Sequence, residues 1–525
     1  MANLKTGTTI DGPLIEISGT GTASQVAGAA GVPVVFESAA TSTATDSRIG
    51  IIGAGPAGKS VIVYEDDDNS GYGTAVIGTV KGTSITYGTP VVFQASACSG
   101  LSVSTIYDSG SATWRFIVAY GRGVDNKGTT IVGTVSGADD TITFSSIVTF
   151  LNDITASPKL AVVSSTSIAI SYQSVANTTA CVIVGTLSGT TMTYGYAATF
   201  GGAAGHGTTN DITTVQNTPT LVISYRDLSN SNKLTTIAAT VSGTTVTLGS
   251  PVVFYATNTT NNPVITNWSY PYNKFVVAWK NSSNGGTAIA GTLSGTTISF
   301  GTAVDFTSNN IAGDFDMVWD DDGSVGSGLT EGVIMVYRDI TQGKLIATAA
   351  RITGTNTITY GTPVVGPTSG AAKLAVMYDG HTEKIVSAYV DTANSNYGTA
   401  VVWRALPGGN ITVDLATGNY FEIDLNDLGS VYPRRIHTFF INNPHASQVS
   451  SFTVQITQGN PQKQFRWDAL QDKIHWPGGS GGQYVGVGLS ERLLTHVDDA
   501  VDVLQFTTWD AGTTWYGKIV GKNFG

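Results

Sequence analysis

The chain has 525 residues, too many for one hydrophobic core, and two or three domains are therefore expected. With 63 glycines and only 12% charged residues, the composition favours short strands joined by tight turns over helices. The formal net charge of −11 argues against nucleic acid and anionic membranes as partners.

No stretch of the sequence approaches the roughly 20 apolar residues that a membrane-spanning helix needs. The opening Met-Ala-Asn-Leu-Lys-Thr-Gly lacks the apolar core of a secretory signal. Cys98 and Cys181 lie in unlike contexts, and their spacing indicates neither metal binding nor redox chemistry. We therefore expect no membrane insertion, no metal held by cysteine, and two unpaired thiols.

Residues 1–30 are rich in Gly, Thr, Ala and Ser and are predicted to form an extended N-terminal arm. The next segment, Gly31-Val-Pro-Val-Val-Phe36, matches the end of the stretch Lys81–Phe93, which closes with Gly-Thr-Pro-Val-Val-Phe. Nothing before residue 31 resembles the rest of that stretch. The segment is therefore an isolated fragment of a repeat.

The stretch Lys81–Phe93 returns along the chain at intervals of about 50–60 residues, which indicates a repeat architecture. Each copy begins at a turn and continues as a strand of β-branched or aromatic residues. Most copies then break at a Gly-Thr or Gly-Ser step and end in an apolar strand closed by Phe. The closing positions are Phe93, Phe150, Phe200, Phe254, Phe306 and, in place of Phe, Gly366.

A second marker divides each repeat further. Strands that end in an aromatic residue recur at Tyr64, Tyr120, Tyr172, Tyr225, Trp279, Tyr337 and Tyr389. A polar turn and a third strand follow each of them, and a weaker first strand precedes each of them. Each repeat is therefore predicted to hold four strands, in the order inner, second, third, outer.

The strand count predicts the topology. Seven second strands and seven third strands precede only six complete outer strands, and segment 31–36 supplies the seventh. A four-stranded unit repeated radially is a β-propeller blade, so residues 31–406 are predicted to form a seven-bladed β-propeller closed by an N-terminal strand. Asn410–Asp414 follows the last third strand and competes for the same outer position.

The repeat period ends near Pro407. The strands predicted beyond it are longer and unrepeated, at Asn410–Leu415, Tyr420–Leu425, Arg435–Asn442, Ser451–Gln458, Val501–Thr507 and Thr514–Val520. We interpret residues 407–525 as a separate antiparallel β-sandwich or jelly-roll domain. The whole chain is thus predicted to be all-β.

An Asp box and two Tyr-Arg-Asp triplets are the motifs that suggest a chemical role. Thr508-Trp-Asp-Ala-Gly-Thr-Thr-Trp515 fits the Asp box of sialidase-type propellers, in which the Asp caps a hairpin turn and has no catalytic role. The Tyr-Arg-Asp triplets at Tyr225–Asp227 and Tyr337–Asp339 end second strands, where a local Arg–Asp pair in the turn is the expected arrangement. No nucleophile elbow, reactive Cys–His context or paired acid–base motif is found, and no enzyme activity is predicted.

Two acidic runs follow strands, at Glu65–Asp68 and at Asp320, Asp321 and Asp322. Either run offers several oxygens from a tight loop, as calcium requires, but neither has the downstream bidentate Glu of a helix–loop–helix site. Solvated turn acids are the favoured interpretation, and calcium at Asp320–Asp322 is kept as the alternative. The four histidines of the last domain have no metal-ligand spacing.

Three aromatic residues, Trp268, Tyr270 and Tyr272, crowd the connection between the first and second strands of the fifth repeat. Exposed aromatic faces stack on sugar rings, so this segment is the candidate carbohydrate site. The alternative is a Pro-containing turn that packs its own aromatic side chains.

The last domain contains the segments Thr412–Leu425, Phe440–Pro444, Trp476–Gly479, Ala500–Thr508 and Gly512–Gly517. These segments carry a resemblance to a module that ends structural proteins of tailed bacteriophages, many of them cyanophage-like. It implies a virion component assembled in the host cytoplasm, often a trimeric fibre or spike, and it transfers no catalytic residue. Its candidate residues for a homotrimer interface are Phe439, Phe440, Trp476, Trp509 and Trp515.

Three functions remain as hypotheses. The first is a non-enzymatic phage virion protein, a tail fibre, spike or adhesin that binds other virion proteins and a glycan or protein of the host surface. The second is a capsid-bound decoration or head-fibre protein with the same architecture. The third is a propeller glycosidase or depolymerase.

Overall fold

In a computed structural model of the chain, the structure describes residues 8–11, 34–37, 50–53, 59–81, 84–108, 113–135, 141–200, 210–215, 219–257, 263–268, 273–319, 332–353, 356–361, 363–368, 370–379, 384–404, 410–416, 418–424, 435–436, 438–442, 444–445, 448–457, 464–465, 474–475, 500–510 and 514–524. These residues form strands, apart from turns and two short 3₁₀ segments at Asp67–Asn69 and Leu228–Asn230. The chain divides into two compact units, one of residues 22–326 and 331–405, the other of residues 1–21, 327–330 and 406–525.

The first unit, called the repeat unit below, consists of antiparallel sheets that follow one another along the chain. We number the strands in chain order, starting with β1 (Thr8–Asp11) and β2 (Val34–Glu37). Sheet 1 contains β3 (Gly50–Gly53), β4 (Lys59–Asp66), β5 (Tyr72–Lys81), β6 (Ser84–Tyr87) and the start of β7 (Val91–Asp108). Sheet 2 contains the end of β7, β8 (Thr113–Arg122), β9 (Lys127–Val135), β10 (Ile142–Phe144) and the start of β11 (Val148–Ser164).

The next sheets have the same strand order. Sheet 3 contains the end of β11, β12 (Ser167–Ser174), β13 (Thr179–Ser188), β14 (Thr191–Tyr194) and β15 (Ala198–Phe200). Sheet 4 contains β16 (Asn210–Val215), β17 (Thr220–Asp227), β18 (Lys233–Ser242), β19 (Thr245–Leu248) and β20 (Val252–Tyr255). Sheet 5 contains β21 (Val264–Trp268), β22 (Lys274–Lys280), β23 (Gly286–Ser294), β24 (Thr297–Phe300) and β25 (Val304–Thr307).

Two further sheets complete the repeat unit. Sheet 6 contains β26 (Ile311–Trp319), β27 (Gly332–Asp339), β28 (Lys344–Thr353), β29 (Thr357–Tyr360) and β30 (Val364–Thr368). Sheet 7 contains β31 (Ala371–Asp379), β32 (Lys384–Asp391), β33 (Tyr397–Arg404) and β2. In sheets 1 to 6 the outer strand is interrupted, and both of its pieces pair with the third strand.

The N-terminal fragment of the repeat pairs where the strand count predicts. Val34 lies opposite Ala400 and Val35 opposite Thr399 in antiparallel register, so β2 is the outer strand of the sheet that contains Tyr389. Asn410–Asp414 does not compete for that position, because it pairs with β1 and with a C-terminal strand instead. The pairing joins the beginning and the end of the repeat unit.

The second and third strands are buried on both faces, which explains their unbroken apolar runs. All eight residues of β12 except Gln173 are buried, for example. The buried faces meet between consecutive sheets in one hydrophobic cluster after another, and sheet 7 shares a cluster with sheet 1. The first strands also contact each other in sequence, β3 with β7, β7 with β11 and onward to β31, which contacts β3.

One layer of the first strands has a polar composition. Its seven members lie opposite the residue that precedes each second-strand aromatic, and they are Gly50, Ser102, Lys159, Asp211, Val264, Asp316 and Ala375. The three residues of this layer that can accept a hydrogen bond do so from the next sheet. Leu160 N donates to Ser102 Oγ (3.1 Å), Ile265 N to Asp211 Oδ2 (3.0 Å) and Val376 N to Asp316 Oδ2 (2.8 Å).

These hydrogen bonds join sheet 2 to 3, sheet 4 to 5 and sheet 6 to 7. Lys159 Nζ lies 3.9 Å from Asp211 Oδ1, so the one cation of the layer pairs with a carboxylate of the adjacent first strand. Burial raises the pKa of Asp316 to about 6, with a further increase from Asp211 and an opposing effect of Lys159. The polar layer therefore links neighbouring sheets through hydrogen bonds, and the pKa of one of its carboxyl groups, Asp316, is raised toward neutral pH.

The second unit is built differently. Its strands are β34 (Asn410–Asp414), β35 (Tyr420–Asp424), β36 (Arg435–Ile436), β37 (Thr438–Asn442), β38 (Ser450–Thr457), β39 (Gln464–Phe465), β40 (Ile474–His475), β41 (Val501–Thr508) and β42 (Trp515–Phe524). The largest sheet has the order β35-β38-β41-β42-β40, and a second sheet has the order β1-β34-β37.

The prediction of a purely antiparallel C-terminal domain is wrong. β34 with β37, β35 with β38, β36 with β39 and β40 with β42 are parallel pairs. Strand length and alternation do not encode strand direction, which depends on how the connections cross, so this feature was not readable from the pattern. The predicted extended arm likewise contributes a strand, because Thr8–Asp11 pairs with β34.

Candidate functional site

The turns between second and third strands lie at one edge of the sheets of the repeat unit. The residue two positions after the second-strand aromatic caps this turn where it is an Asp. Asp66 and Asp227 accept hydrogen bonds from the backbone N of Asn69 and Asn230, at 3.2 Å each. Asp339 accepts one from Gln342 N at 2.9 Å. These carboxylates stabilise turns, as capping residues do at helix N-termini.

The expected Arg–Asp pairs within these turns do not form. No ion pair connects Arg226 or Arg338 with any described residue, whereas Arg122 does pair with Asp125 in the turn of sheet 2. Neighbouring residues on a strand point to opposite faces, so a carboxylate that caps the turn faces away from the arginine before it. The prediction is wrong for this reason, and the two arginines need another explanation.

Each arginine faces the next sheet. Tyr225 packs on Phe200 of sheet 3 (5.2 Å between ring centroids), so the following residue, Arg226, points the other way, toward sheet 5. Arg226 lies opposite Leu234, and Leu234 lies opposite Tyr255 of the outer strand. Arg226, Leu234 and Tyr255 therefore form one row across sheet 4.

The row meets Trp279 of sheet 5. The Tyr255 and Trp279 ring centroids are 5.2 Å apart, and Ser282 N donates to the Tyr255 hydroxyl at 3.3 Å. Leu234 and Trp279 belong to the same buried cluster, with Tyr255 packed against it. Arg226, Tyr255 and Trp279, called the sheet 4–5 site below, thus gather a guanidinium, a phenol and an indole at the turn edge.

Two donors of this site lack an acceptor among the described residues. The Arg226 Nε and Trp279 Nε1 atoms are both buried and neither has a hydrogen-bond partner there. A buried donor without an acceptor costs roughly 1–3 kcal/mol, so an acceptor supplied by a ligand, an ion or a water would be favourable at both atoms. Burial lowers the pKa of Arg226, but an arginine remains cationic at neutral pH.

A cation recurs at the same position in the two following interfaces. Arg338 of sheet 6 lies opposite Leu345, which clusters with Tyr389 and Trp403 of sheet 7, and Arg338 Nε is also buried without an acceptor among the residues that the structure describes. Lys280 of sheet 5 takes the same position and donates from Nζ to Asn310 Oδ1 at 3.2 Å. Three consecutive interfaces therefore place a cation at equivalent positions.

The fold itself does not require these cations. The position after the second-strand aromatic is occupied, in chain order, by Glu65, Gly121, Gln173, Arg226, Lys280, Arg338 and Val390. Gly121 and Val390 show that a sheet closes against its neighbour with no polar group there. The two half-buried arginines, whose Nε atoms are buried, are therefore not needed to close these interfaces.

The candidate aromatic segment of the sequence lies mostly outside the described residues. Trp268 is the last residue of β21, where its backbone pairs with Lys274, and Tyr270 and Tyr272 lie outside the described residues. Asp320, Asp321 and Asp322 lie outside them too. Within the described part of the chain, no group of three or more His, Cys, Asp or Glu side chains is placed to hold a metal ion.

The C-terminal candidates separate into different environments. Trp515 is 1% exposed and packs edge-on against Phe452, so it has no surface left for a second copy of the chain. Trp509 is 60% exposed. Phe439 and Phe440 lie in β37, and Trp476 falls outside the described residues.

The expected role of the Asp-box residue is confirmed. The Thr508 hydroxyl and Thr514 N both donate to Asp510 Oδ1, at 2.8 Å each, so this carboxylate caps the hairpin between β41 and β42. The hydrogen bond from Thr514 N, with that from Thr508, lowers the pKa of Asp510. Cys98 and Cys181 are buried free thiols. None of the described helical segments has the length and apolar character to cross a membrane.

Comparison with known proteins gives structural likeness only. No family model matches the chain, and no curated protein does. The BP39L lectin from Burkholderia pseudomallei aligns with 69% of this chain and 97% of its own, with a TM-score of 0.49 and 11% identity. A fucose-specific lectin from Aleuria aurantia aligns with 63% of this chain and 98% of its own, with a TM-score of 0.40 and 13% identity.

An enzyme is among the similar structures as well. A point mutant of NanB sialidase from Streptococcus pneumoniae aligns with 71% of this chain and 70% of its own, with a TM-score of 0.41 and 11% identity. Lectins and a sialidase thus align with comparable scores, and the function of this chain has to be argued from its own residues.

Proposed function

We propose that the protein is a non-enzymatic carbohydrate-binding protein whose sites lie between consecutive sheets of the repeat unit. The observation that carries the proposal is the pair of buried donors without acceptors, Arg226 Nε and Trp279 Nε1, beside Tyr255. Sugar hydroxyls and carboxylates supply acceptors, and an aromatic ring offers a face for the apolar side of a sugar. The sheet 6–7 interface with Arg338 is a second site of the same kind.

The absence of enzyme activity is part of the proposal. Asp66, Asp227 and Asp339 accept hydrogen bonds from turn backbone, and Asp211 and Asp316 from neighbouring sheets. A general acid or a nucleophile needs a carboxyl group that is free to meet substrate. Purified protein is therefore expected not to hydrolyse polysaccharides or sialosides above background.

The biological setting is proposed from the sequence. We take the sheets of the repeat unit as the seven blades of a β-propeller, with the C-terminal unit as a sandwich module of the tailed-bacteriophage type. In this proposal the protein is a virion fibre, spike or adhesin, assembled in the host cytoplasm, that attaches to host-surface glycan. Cryo-electron microscopy of virions with a labelled subunit would locate it on the tail or the head, and absence from purified particles would contradict the setting.

Calorimetry with the full chain tests the binding site. L-fucose, D-galactose and N-acetylneuraminic acid serve as probes, because the first two are neutral and the third carries a carboxylate. At least one probe should bind, and R226A should weaken that binding about tenfold or more, the equivalent of ~1.4 kcal/mol. R226K should recover little, since a lysine keeps the charge but loses Nε and the planar fork.

A matched control is Arg115, whose Nη1 donates to Gly189 O (2.8 Å) at the opposite end of the strands. R115A should leave the affinity unchanged. Binding of N-acetylneuraminic acid, but not of the neutral sugars, should weaken with salt. The proposal fails if none of the probes binds, or if R226A and R338A together leave the affinity unaltered.

A further inference from the structure

The C-terminal unit offers a second and different surface. The strands β38 and β41 alternate strictly between buried and less buried residues, unlike the doubly buried strands of the repeat unit. Their buried face joins Phe421, Phe452, Phe506 and Trp515 in ring contacts. The opposite face of the same sheet is not needed to complete this aromatic core.

Aromatic side chains mark both ends of this opposite face. At the β42 end, Trp509 (60% exposed) packs on Tyr516 (46% exposed) with ring centroids 4.7 Å apart. At the β35 end, Tyr420 is 50% exposed, and its hydroxyl donates to Gln455 Oε1 at 2.9 Å. Exposed aromatic residues at sites of no structural need commonly mark a binding surface.

Uncharged polar side chains fill the space between the two ends. The strand registers place Tyr420, Thr453, Gln505 and Lys518 in one row across the sheet, and Ser451, Thr507 and Tyr516 in the adjacent row. The Ser451 and Thr507 hydroxyls lie 3.1 Å apart and bond each other. Glu422 and Lys518 bring one charge of each sign, and the register adds Asp424 at the β35 edge of the face, opposite Thr457.

The spacing defines the size of a ligand. Three inter-strand steps separate β35 from β42, and at roughly 4.8 Å per step the aromatic ends are about 14 Å apart. A ligand that touches both ends must be extended, with apolar faces at its ends and hydroxyl groups between them. A stripe of hydroxyl and amide groups with few charges fits a neutral oligosaccharide better than a peptide with charged side chains.

We propose that the face defined by Tyr420, Thr453, Gln505, Trp509 and Tyr516 binds a neutral, extended oligosaccharide, with one sugar stacked at the Trp509–Tyr516 pair and another at Tyr420. The inference goes beyond the proposed function, because this surface belongs to the C-terminal unit and its described residues include no arginine. The Asp510 cap fixes the hairpin that presents Trp509, which makes the aromatic pair a preorganised platform.

Titration of the full chain with cellotetraose, maltotetraose, mannotetraose and chitotetraose tests the proposal, by calorimetry and by quenching of tryptophan fluorescence. At least one tetrasaccharide should bind with a Kd below about 1 mM. W509A and Y516A should each weaken binding roughly tenfold. Y420A should weaken binding of the tetrasaccharide but not of the corresponding disaccharide, which reaches only one end of the face.

Tyr196 supplies a matched control, because it is an exposed tyrosine of the repeat unit with 95% of its surface accessible. Y196A should bind the tetrasaccharide as the wild type does. The proposal is overturned if no tetrasaccharide binds, or if W509A and Y196A have the same effect. It is also overturned if W509A dissociates an oligomer in light scattering while tetrasaccharide binding persists, since a second copy would then cover the face.

Discussion

Phe254 of sheet 4 packs against Trp279 of sheet 5, with ring centroids 5.3 Å apart. The same contact joins Phe93 to Tyr120, Phe150 to Tyr172, Phe200 to Tyr225 and Phe306 to Tyr337, at 5.2 to 5.5 Å. The two periodic markers of the sequence are therefore two halves of one inter-sheet contact. In these five interfaces, the Phe ring that ends one repeat packs on the second-strand aromatic ring of the next repeat.

The exception at Gly366 has a physical cause. A Cβ atom at Gly366 would collide with Trp403 of sheet 7. The residues that correspond to Trp403 in the other sheets, by register with the second-strand aromatic, are Gly78, Gly133, Gly185, Ala239, Gly291 and Ala350. At the interface of sheets 6 and 7 the large residue is therefore Trp403 on the third strand of sheet 7, and the small one is Gly366 on the outer strand of sheet 6. The five preceding interfaces have the reverse arrangement.

This exchange predicts a strong energetic coupling. G366F should destabilise by about 1–3 kcal/mol through overpacking, and W403G by about 3–5 kcal/mol through a cavity. The double variant G366F/W403G restores the pattern of the other sheets and should be more stable than the sum of the single effects by at least ~1 kcal/mol. Guanidinium unfolding of the four proteins measures the coupling, and strict additivity would contradict it.

A second prediction concerns Asp316 and pH. Its pKa is about 6 in the native protein, above the usual carboxyl value, so the native state favours the protonated form. Its contribution to stability is then fully present below about pH 4 and is lost as pH rises through 6. The stability of wild type relative to D316N should fall by roughly 1–3 kcal/mol between pH 4 and pH 7.

The neighbouring charges allow a sharper version of this test. Lys159 lowers the pKa of Asp316 and Asp211 raises it. K159M should therefore raise the pKa of Asp316 further and move the pH-dependent loss of stability to higher pH. Urea unfolding at a series of pH values provides the measurement, and a pH-independent difference between wild type and D316N would refute the assignment.

A third prediction concerns the turn caps. D227A removes the acceptor for Asn230 N and for the Ser229 hydroxyl, which donates at 2.5 Å. It should cost about 0.5–2 kcal/mol of unfolding free energy. D227N, which keeps one acceptor oxygen, should retain most of the stability. Equal losses in the two variants would show that charge rather than capping is at work.

The fourth prediction concerns β2. Deleting residues 1–37 removes the strand that covers the edge of β33, whereas deleting residues 1–33 keeps it. An uncovered edge strand loses hydrogen bonds and invites pairing with other chains. Relative to the shorter deletion, the longer one should lower the free energy of unfolding by several kcal/mol. It should also promote aggregation. Identical stability of the two truncated proteins would be incompatible with the pairing.

The repeat made much of the first unit predictable from sequence. The second-strand aromatics, the broken outer strands and the pairing of Val34 and Val35 near Ala400 all follow from counting and from the apolar pattern. The C-terminal unit has no repeat, so the parallel partners of β35 and β37 were beyond such reasoning.

The candidate site was largely missed. Arg226 was interpreted as part of a turn because Asp227 follows it, although strand alternation already places the two side chains on opposite faces. Alignment of the seven second strands would have shown cations only at Arg226, Lys280 and Arg338 among the residues that follow the aromatic. The charged layer of first strands gave no comparable signal, because its members share a register but no residue type.

The position of the first two strands has a consequence for synthesis. β1 pairs with β34 and β2 with β33, so these two strands leave the ribosome long before their partners, which follow only when almost the whole repeat unit has been made. Until then β1 and β2 lack their strand partners in the nascent chain. Contacts of such long sequence separation form slowly. A premature stop anywhere before β33 would leave both N-terminal strands without partners, so truncated products should be cleared by proteases while full-length chains persist.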